Sequence, residues 1–377
     1  MVNDTMFAQK PDLKLDQKLA QKFDRLGKSL SGDAYRDGFT RGRYATDASI
    51  YQMMPHGVII PKTSADIEAA IAFCRDTGTA ILPRGGGTSQ CGQTVNHALV
   101  LDNSKHFKAI LELDVAGRRC VVQPGIVLDE LNRQLKPHGL WFPVDVSTSS
   151  RATIGGMAGN NSCGGRSIRY GMMRDNVLAI DAIMEDGSHA HFGAYDADTP
   201  LPAGRMRDIL PGLLDLGRNN KDEILNRFPK VLRRVGGYNI DALIPDAMAL
   251  RPHYTGSNAA KIAGKNSGIN LSHLLVGSEG TLAYSTAITL KLSPLPARKV
   301  MGLCHFPTFY KAMDAAQHLV TLDPVAVELI DSTMLDLARS IALFRPTVEA
   351  YIKGQPAAIL VVEFAEDEPD ENTRRLA

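Results

Sequence analysis

Three consecutive glycines, Gly85 to Gly87, follow a short apolar run in the stretch ILPRGGGTSQCG at residues 81–92. Glycine loses more backbone freedom on folding than any other residue, so a run of three needs a physical reason. Backbone N–H groups in such a loop form a concave, positively polarised nest that suits a phosphate group. We therefore predict a phosphate-binding loop, with a tight turn that binds nothing as the alternative.

Two common phosphate-binding motifs do not fit this loop. A Walker A loop requires a lysine after its last glycine, and no lysine follows these three. The dinucleotide-binding pattern GxGxxG requires a glycine where Gln90 stands. The sequence thus predicts a phosphate nest of another type.

A second glycine-rich stretch, ATIGGMAGNNSCGGRSIRYG, occupies residues 152–171. It contains two glycine pairs, Gly155-Gly156 and Gly164-Gly165, and small polar residues lie between or beside them: Thr153, Asn160, Asn161 and Ser162. Such a segment can lie flat against a planar ligand and form hydrogen bonds without crowding it. On its own it is a weak indication of a ligand.

Two histidines, His189 and His191, stand two residues apart in DGSHAHFG and would share one face of a strand. A zinc site usually takes at least three protein ligands, and no third candidate lies nearby in the sequence. A solvated hairpin face is favoured over a metal pair, and we predict no metal site.

Three arginines in or just after the second stretch are Arg166, Arg169 and Arg174. They either attract an acidic substrate or lie on the surface.

The five cysteines are scattered and never spaced as CxxC, which argues against a disulfide framework and against a structural zinc or iron–sulfur site. Cys91 and Cys163 stand close to the glycine-rich motifs, and we interpret both as small buried residues.

The composition is that of a soluble globular protein. The 377 residues are 44% hydrophobic and 22% charged, and this length favours two domains. A formal net charge of +1 gives no basic field for nucleic acid or anionic lipid. No apolar run approaches the roughly 18 residues of a spanning helix, and no signal peptide is recognised, so we predict a cytoplasmic protein, at most peripheral to the membrane.

Strands and helices alternate around the motifs. VIIP predicts a strand, residues 63–78 a helix capped by Thr63 or Ser64 and ended by Gly78, and AILP a strand that leads directly into the glycine loop. Further strands are predicted at 97–102 and 109–114 and in RRCVVQPG, with a helix at about 127–136. This alternation indicates an α/β or α+β domain.

The predicted domains are an N-terminal helical arm at residues 1–48, a main domain at 49–296 with an insertion at about 194–270, and an incomplete second domain at 297–377. Within the last, AMDAAQHLV predicts a helix and AAILVVEFAED a buried strand. We expect this strand to lack its full sheet, which would promote aggregation or partner binding.

Three motifs stand in order between about Arg43 and Leu292: PRGGGTSQCG, then PVDVSTSSRATIGGMAGNNSCGGRSIRYG, then GSEGTLAYSTAITLKL. Together they resemble the FAD-binding domain of the vanillyl-alcohol-oxidase/PCMH superfamily, and most of all the FAD-linked D-2-hydroxyacid dehydrogenases. The resemblance implies an α+β fold, with a PCMH-type FAD-binding domain of two α/β subdomains followed by the start of a ferredoxin-like α+β substrate domain.

The resemblance also implies which residues bind FAD. The glycine loop would wrap the diphosphate, the Pro-x-Asp segment would lie beside the flavin, the segment around Val177 would contact the adenosine end, and the EG turn would close over the cofactor. The implied set is Arg84, Gly85, Gly86, Gly87, Thr88, Ser89, Gly92, Pro143, Asp145, Thr153, Gly155, Gly156, Asn161, Ser162, Gly164, Tyr170, Gly171, Val177, Glu279 and Gly280. Thr88 and Arg151 stand where covalently linked members carry histidine and cysteine, which implies non-covalent FAD.

The implied activity is oxidation of a D-2-hydroxy acid (D-2-hydroxyglutarate, D-lactate or glycolate) to the 2-oxo acid, with hydride transfer to flavin N5 and an unidentified electron acceptor. The alternatives are an FAD-binding module or split-enzyme subunit without activity of its own, and an enolpyruvyl-sugar reductase, against which ELID at residues 328–331 argues. The family's metal-binding histidines and catalytic base are expected after Ala377, in this polypeptide or a separate one, so the catalytic residues are unknown and the isolated chain is expected to be a poor catalyst.

Overall fold

The computed structural model describes residues 13–196, 198–200, 202–231, 233–245 and 268–377. Three sheets of more than two strands organise this part of the chain: a mixed sheet of four strands, an antiparallel sheet of five and an antiparallel sheet of three. We call the regions built on them the first, second and third units.

The first unit surrounds the four-stranded sheet. Its elements are α1 (Leu13–Ser29), β1 (Asp33–Tyr35), α2 (Gly38–Arg43), β2 (Gly57–Ile60), α3 (Ser64–Thr77), β3 (Ile81–Arg84) and β4 (Leu99–Asp102). The sheet order is β1-β2-β4-β3, with β2 and β3 parallel to β4 and β1 antiparallel to β2. The predicted N-terminal arm therefore supplies a strand of this sheet, and its Phe23 is buried in the same core as Ile67 of α3.

Local signals define α3 as the sequence predicted. The Thr63 hydroxyl accepts a hydrogen bond from the Asp66 N–H, and the Asp66 carboxylate accepts one from the Thr63 N–H, which forms a capping box. Gly78 ends the helix at φ +66°. Strand β3 follows and leads the chain into the glycine loop.

The second unit surrounds the five-stranded sheet, whose order is β5-β6-β12-β8-β9. Its strands are β5 (Ile110–Asp114), β6 (Arg119–Val122), β7 (Leu140–Trp141), β8 (Val177–Ile183), β9 (His189–Phe192), β10 (Ala194–Tyr195), β11 (Ile269–Asn270), β12 (Tyr284–Lys291) and β13 (Ser293–Pro294). Its helices are α4 (Leu128–Leu135), α5 (Ile154–Asn160), α6 (Ser167–Tyr170), α7 (Met173–Asn176), α8 (Arg205–Asn219), α9 (Lys221–Arg227) and α10 (Ser272–Leu275), with 3-10 turns at Lys136–His138 and Ile240–Leu243.

The predicted insertion at about 194–270 begins and ends on a pair of short strands. Ala194 of β10 lies opposite Asn270 of β11, so the two ends of the segment meet. Helix α8 buries Met206 and Leu210 in the core of the second unit. The described part of this segment therefore packs onto the unit that contains it.

The third unit contains β14 (Val300–Phe306), α11 (Phe309–Leu319), β15 (Ala326–Asp331), α12 (Ser332–Ser340), α13 (Arg345–Tyr351), β16 (Ala358–Phe364) and α14 (Pro369–Leu376), with a 3-10 turn at Val320–Leu322. Strand β16 lies in the middle of the sheet and pairs antiparallel with β14 and β15. The expectation that AAILVV lacks its sheet is therefore wrong, because this strand is paired on both edges. Across the described residues, no helix has the length and apolar character needed to span a membrane.

Candidate functional site

A cleft of about 1030 Å³ is formed by residues of all three units. This volume is at the upper end of the range of roughly 300–1,000 Å³ that is usual for ligand sites. The cleft is lined by the glycine loop, by residues 145–149 and by the segment around α5. The turn at 278–280 also belongs to its lining. From the third unit, Glu328 reaches the cleft.

The glycine loop presents unpaired donors to this cleft. None of the backbone N–H groups of residues 85–89 donates a hydrogen bond to a described residue. The loop is held from outside by the Ala48 N–H, which donates to the carbonyl oxygen of Gly87 at 3.1 Å. Gly87 itself has φ +63°, a conformation that favours glycine. Consecutive free N–H groups at the edge of a cleft form an anion-binding nest.

Close packing explains why the loop consists of glycines. A Cβ atom on Gly85 would collide with the side chain of Thr153, and one on Gly86 would collide with the carbonyl oxygen of Arg151. The loop therefore lies directly against the segment that begins α5. The same holds on the opposite wall, where a Cβ on Gly164 would collide with the backbone of Asp145.

Arg84 supports the loop from behind. Its guanidinium donates hydrogen bonds to the carbonyl oxygens of Tyr44 at 2.9 Å, Thr46 at 2.6 Å and Thr94 at 2.8 Å. The residue is only 8% exposed. Its side chain therefore fixes the path of the chain on both sides of the loop, and its positive charge lies beneath the nest.

The GSEG turn is bonded to the end of α5. The Glu279 N–H donates to the carbonyl oxygen of Gly159 at 3.0 Å, and the Gly277 N–H donates to that of Ala158 at 2.9 Å. The Gln93 amide, just after the glycine loop, donates to the Glu279 carboxylate at 3.4 Å, so the two walls contact each other. Burial raises the pKa of Glu279, and the hydrogen bond from Gln93 opposes this change.

The GGYN and GSEG motifs are adjacent in space although many residues separate them in sequence. The Asn239 amide donates to the carbonyl oxygen of Val276 at 2.7 Å. The hydroxyls of Tyr238 and Thr281 lie 2.6 Å apart. The two motifs therefore lie side by side in the fold.

Fourteen of the twenty residues implied as FAD-binding line the cleft: Arg84, Gly85, Gly86, Gly87, Thr88, Ser89, Asp145, Thr153, Gly155, Gly156, Ser162, Gly164, Glu279 and Gly280. Six others are not part of its lining: Gly92, Pro143, Asn161, Tyr170, Gly171 and Val177. Asn161 is fully buried, and its side-chain oxygen accepts a hydrogen bond from the Arg174 N–H at 3.0 Å. It supports the wall from behind.

Arg166 and Arg169 connect the second unit to the third. Arg166 donates to the Glu363 carboxylate at 2.9 Å, and Arg169 donates to the carbonyl oxygen of Asp323 at 2.7 Å and contacts the Glu366 carboxylate. Arg169 is only 6% exposed, and the side chain of Arg166 is 24% exposed. A free surface position is therefore excluded for both, because both are engaged with the third unit, and Arg166 also lines the cleft.

Arg174 is the largest fully buried side chain of the described residues. Its guanidinium lies 2.9 Å from the Asp241 carboxylate and donates to the Asn239 side-chain oxygen at 3.1 Å. Arg234 also contacts Asp241, at 2.6 Å. This buried network joins the second glycine-rich stretch to the segment around residues 234–241, and it likewise excludes a surface role for Arg174.

Sequence reasoning missed two lining residues at the end of the cleft near the third unit, Trp141 and Glu328. Trp141 is the only tryptophan of the chain and is 8% exposed. Its indole N–H has no hydrogen-bond partner among the described residues, and the guanidinium of Arg166 lies 5.6 Å from its ring centre. Trp141 stands two residues before Pro143, which the resemblance places beside the flavin, so the sequence could have indicated that Trp141 lines the cleft. Nothing in ELID indicates that Glu328 reaches the cleft.

The two histidines on β9 contact single carboxylates. His189 Nε2 lies 3.0 Å from Glu68, and His191 Nδ1 lies 2.6 Å from Asp181, with both histidines exposed. Within the described ranges, no cluster of three or more His, Cys, Asp or Glu residues is placed to hold a metal ion.

Cys91 and Cys163 both line the cleft. Cys91 is exposed and Cys163 is partly exposed, so their interpretation as buried residues is wrong. Cys91 follows the glycine loop in sequence, and Cys163 stands between the two glycine pairs.

Comparison with known proteins gives two family matches. Residues 55–193 match the family described as FAD binding domain, and residues 295–377 match the family described as FAD linked oxidases, C-terminal domain. A D-2-hydroxyglutarate dehydrogenase from Pantoea ananatis is 32% identical over 361 residues, which cover 92% of this chain and 33% of the relative. The glycolate oxidase subunit GlcD of Bacillus subtilis is 30% identical, over 92% of this chain and 59% of its own.

Among solved structures, an alkyldihydroxyacetonephosphate synthase superposes with a TM-score of 0.65 at 17% identity, covering 94% of this chain and 57% of the other. At this identity the likeness concerns the fold, and it confirms the PCMH-type architecture predicted from the motifs. The chain spans about a third of the length of the D-2-hydroxyglutarate dehydrogenases that it matches.

Proposed function

The chain carries the FAD-binding domain and the C-terminal domain of the FAD-linked oxidases, and on this premise we propose that it is the FAD-binding part of a D-2-hydroxyacid dehydrogenase. The names of its relatives, D-2-hydroxyglutarate dehydrogenase and glycolate oxidase subunit among them, support a 2-hydroxy acid as the substrate. The observation that carries the proposal is the row of N–H groups without a hydrogen-bond partner among the described residues, at residues 85–89, on a loop that lines a cleft of about 1030 Å³.

The residues of the cleft fit FAD. The N–H groups of residues 85–89 would hold the diphosphate, and the hydroxyls of Thr88 and Ser89 lie on the same loop. Gly155, Gly156 and Gly164 also line the cleft, and their close packing against Pro124, Thr153 and Asp145 holds this part of the lining in place. When bound, FAD supplies the group that accepts a hydride, and the protein supplies its position.

The third unit covers one end of this cleft. Arg166 bridges Asp145 on the cleft wall, at 3.5 Å, and Glu363 in the middle of the third sheet, at 2.9 Å. The buried indole of Trp141 lies beside this bridge. These contacts would keep the third unit against the cofactor end of the cleft and exclude water there, and Glu328 would face the bound ligand. We assign no catalytic base to these residues.

Anaerobic mixing tests the proposed substrate class. The FAD-loaded protein, in its full native length, is mixed with D-2-hydroxyglutarate, D-lactate or glycolate while flavin absorbance is recorded. We expect rapid bleaching with at least one of these acids, and no bleaching with L-2-hydroxyglutarate. A flavin that stays oxidised with all three acids would refute the substrate class while leaving FAD binding untouched.

We predict that the FAD is bound non-covalently. Thr88 lines the cleft and Arg151 lies against the glycine loop, and neither residue is the histidine or cysteine through which covalently linked members attach the flavin. Acid precipitation of the yellow protein should leave the colour in the supernatant. Colour retained in the pellet would contradict this prediction. Cys91 and Cys163, whose residues line the cleft, would then be the first candidates for the covalent link.

A further inference from the structure

A second cavity of about 460 Å³ lies in the first unit and shares no lining residue with the cleft. It is bounded by α2, by Tyr35 of β1 and by the ends of β2 and β4. Tyr35 and Tyr44 pack against Val58, Ile60 and Val100, whereas α1 and α3 pack against Ile59, Leu99 and Leu101. Because side chains alternate along a strand, the cavity lies on the face of the sheet opposite α1 and α3.

The back wall of this cavity is fixed by hydrogen bonds. The Tyr44 hydroxyl donates to one oxygen of the buried Asp102 carboxylate at 2.6 Å, and the Ser104 hydroxyl donates to the other oxygen at 2.6 Å. The guanidinium of Arg84 lies 5.4 Å from the ring centre of Tyr44 and donates to its carbonyl oxygen. The single carboxylate of the cavity therefore already has donors for both of its oxygens.

Three cations line the same cavity: Arg43, Lys105 and Lys108. The side chains of Arg43 and Lys108 make no hydrogen bond or ion pair with any residue in the described ranges, and Lys105 lies 3.8 Å from Asp33. Because Asp33 offsets Lys105, the local positive excess at the cavity comes from Arg43 and Lys108. Such an arrangement favours an anion.

We propose that this cavity binds the phosphate group of a small phosphorylated molecule. A phosphate monoester has three acceptor oxygens and a charge of about −1.5 to −2 at neutral pH, which suits a site where two cations have no paired carboxylate among the described residues and a third lies beside them. Arginine is well suited to phosphate oxygens, and lysine binds them as a point charge. Tyr35 and Ile60 supply apolar surface for the remainder of the ligand.

Calorimetry on the FAD-saturated protein tests this site, because bound FAD occupies the glycine loop and removes it as a competing phosphate site. The probes are inorganic phosphate and AMP, and we expect saturable binding of one molecule per chain. Tighter binding of AMP than of phosphate would show that Tyr35 and Ile60 contact more than the phosphate group. Equal binding of both probes would assign the ligand as free phosphate.

The variant that combines Arg43→Gln with Lys108→Gln should weaken binding by about tenfold or more, because it removes two charged donors. The matched control combines Lys18→Gln with Lys22→Gln on the exposed side of α1, which makes the same change in net charge. Both variants should bind FAD as the parent does. Absence of saturable binding to the parent, or equal weakening in the two variants, would overturn the proposal.

Discussion

Replacing Gly86 with valine should weaken FAD binding by about a hundredfold, because at least two charge-assisted hydrogen bonds from the loop would be lost at roughly 1.5 kcal/mol each. A Cβ atom at this position would collide with the carbonyl oxygen of Arg151, so the loop must move away from the segment that begins α5. The displaced N–H groups would no longer converge on the diphosphate. Because Gly86 is exposed and outside the core, the fold should survive.

The measurement is the FAD dissociation constant from quenching of flavin fluorescence. Gly212→Val is the matched control, because a Cβ atom on this exposed glycine of α8 meets no atom within 4 Å. We expect the control to bind FAD like the parent. Unchanged affinity in Gly86→Val would show that the loop is a turn that does not touch the cofactor.

Replacing Arg174 with methionine should lower the free energy of unfolding by about 3 kcal/mol, the lower end of the loss expected when one partner of a buried ion pair is removed. The guanidinium is fully buried and contacts Asp241 and Asn239. Methionine fills part of the space but leaves the Asn239 side-chain oxygen without this donor and Asp241 with one fewer cation. The segment around residues 234–241 should loosen as a result.

Urea denaturation, followed by circular dichroism, measures this effect. The control is Arg218→Met on α8, whose exposed pair with Asp215 is worth at most about 1 kcal/mol. We expect a clear fall in the midpoint for Arg174→Met and little change for Arg218→Met. Equal midpoints for the two variants would mean that the buried network does not stabilise the fold.

Local signals in the sequence were sufficient for the elements that carry the glycine loop. The capping residues of α3, its apolar spacing and Gly78 all act within a few residues of the helix, so they are readable without the fold. The glycine loop was likewise identifiable, because three glycines between a strand and a polar run point to a close backbone approach, and its role as a phosphate nest stays a prediction. The fold class came from the family that the three motifs, taken in order, resemble.

The charge network could not be read in this way, because its partners lie far apart in the sequence. Arg166 pairs with Glu363 across 197 residues, and Arg174 pairs with Asp241 across 67. The residues that neighbour an arginine in the sequence do not indicate which distant carboxylate will form an ion pair with it in the fold. The interpretation of Cys91 and Cys163 failed, and β1 was missed within the predicted helical arm, because burial and strand pairing are set by distant segments.

If the glycine loop and the α5 segment enclose the diphosphate of FAD, a titration of the apoprotein with FAD will report it through Trp141. Trp141, the only tryptophan, lines the cleft, so a flavin bound there should quench its emission. We expect saturable quenching at one FAD per chain, and binding weaker by about tenfold or more for FMN, which lacks the second phosphate and the adenosine. Equal affinity for FMN and FAD, or FAD binding that leaves the emission of Trp141 unchanged, would show that the glycine loop and the α5 segment do not enclose the diphosphate.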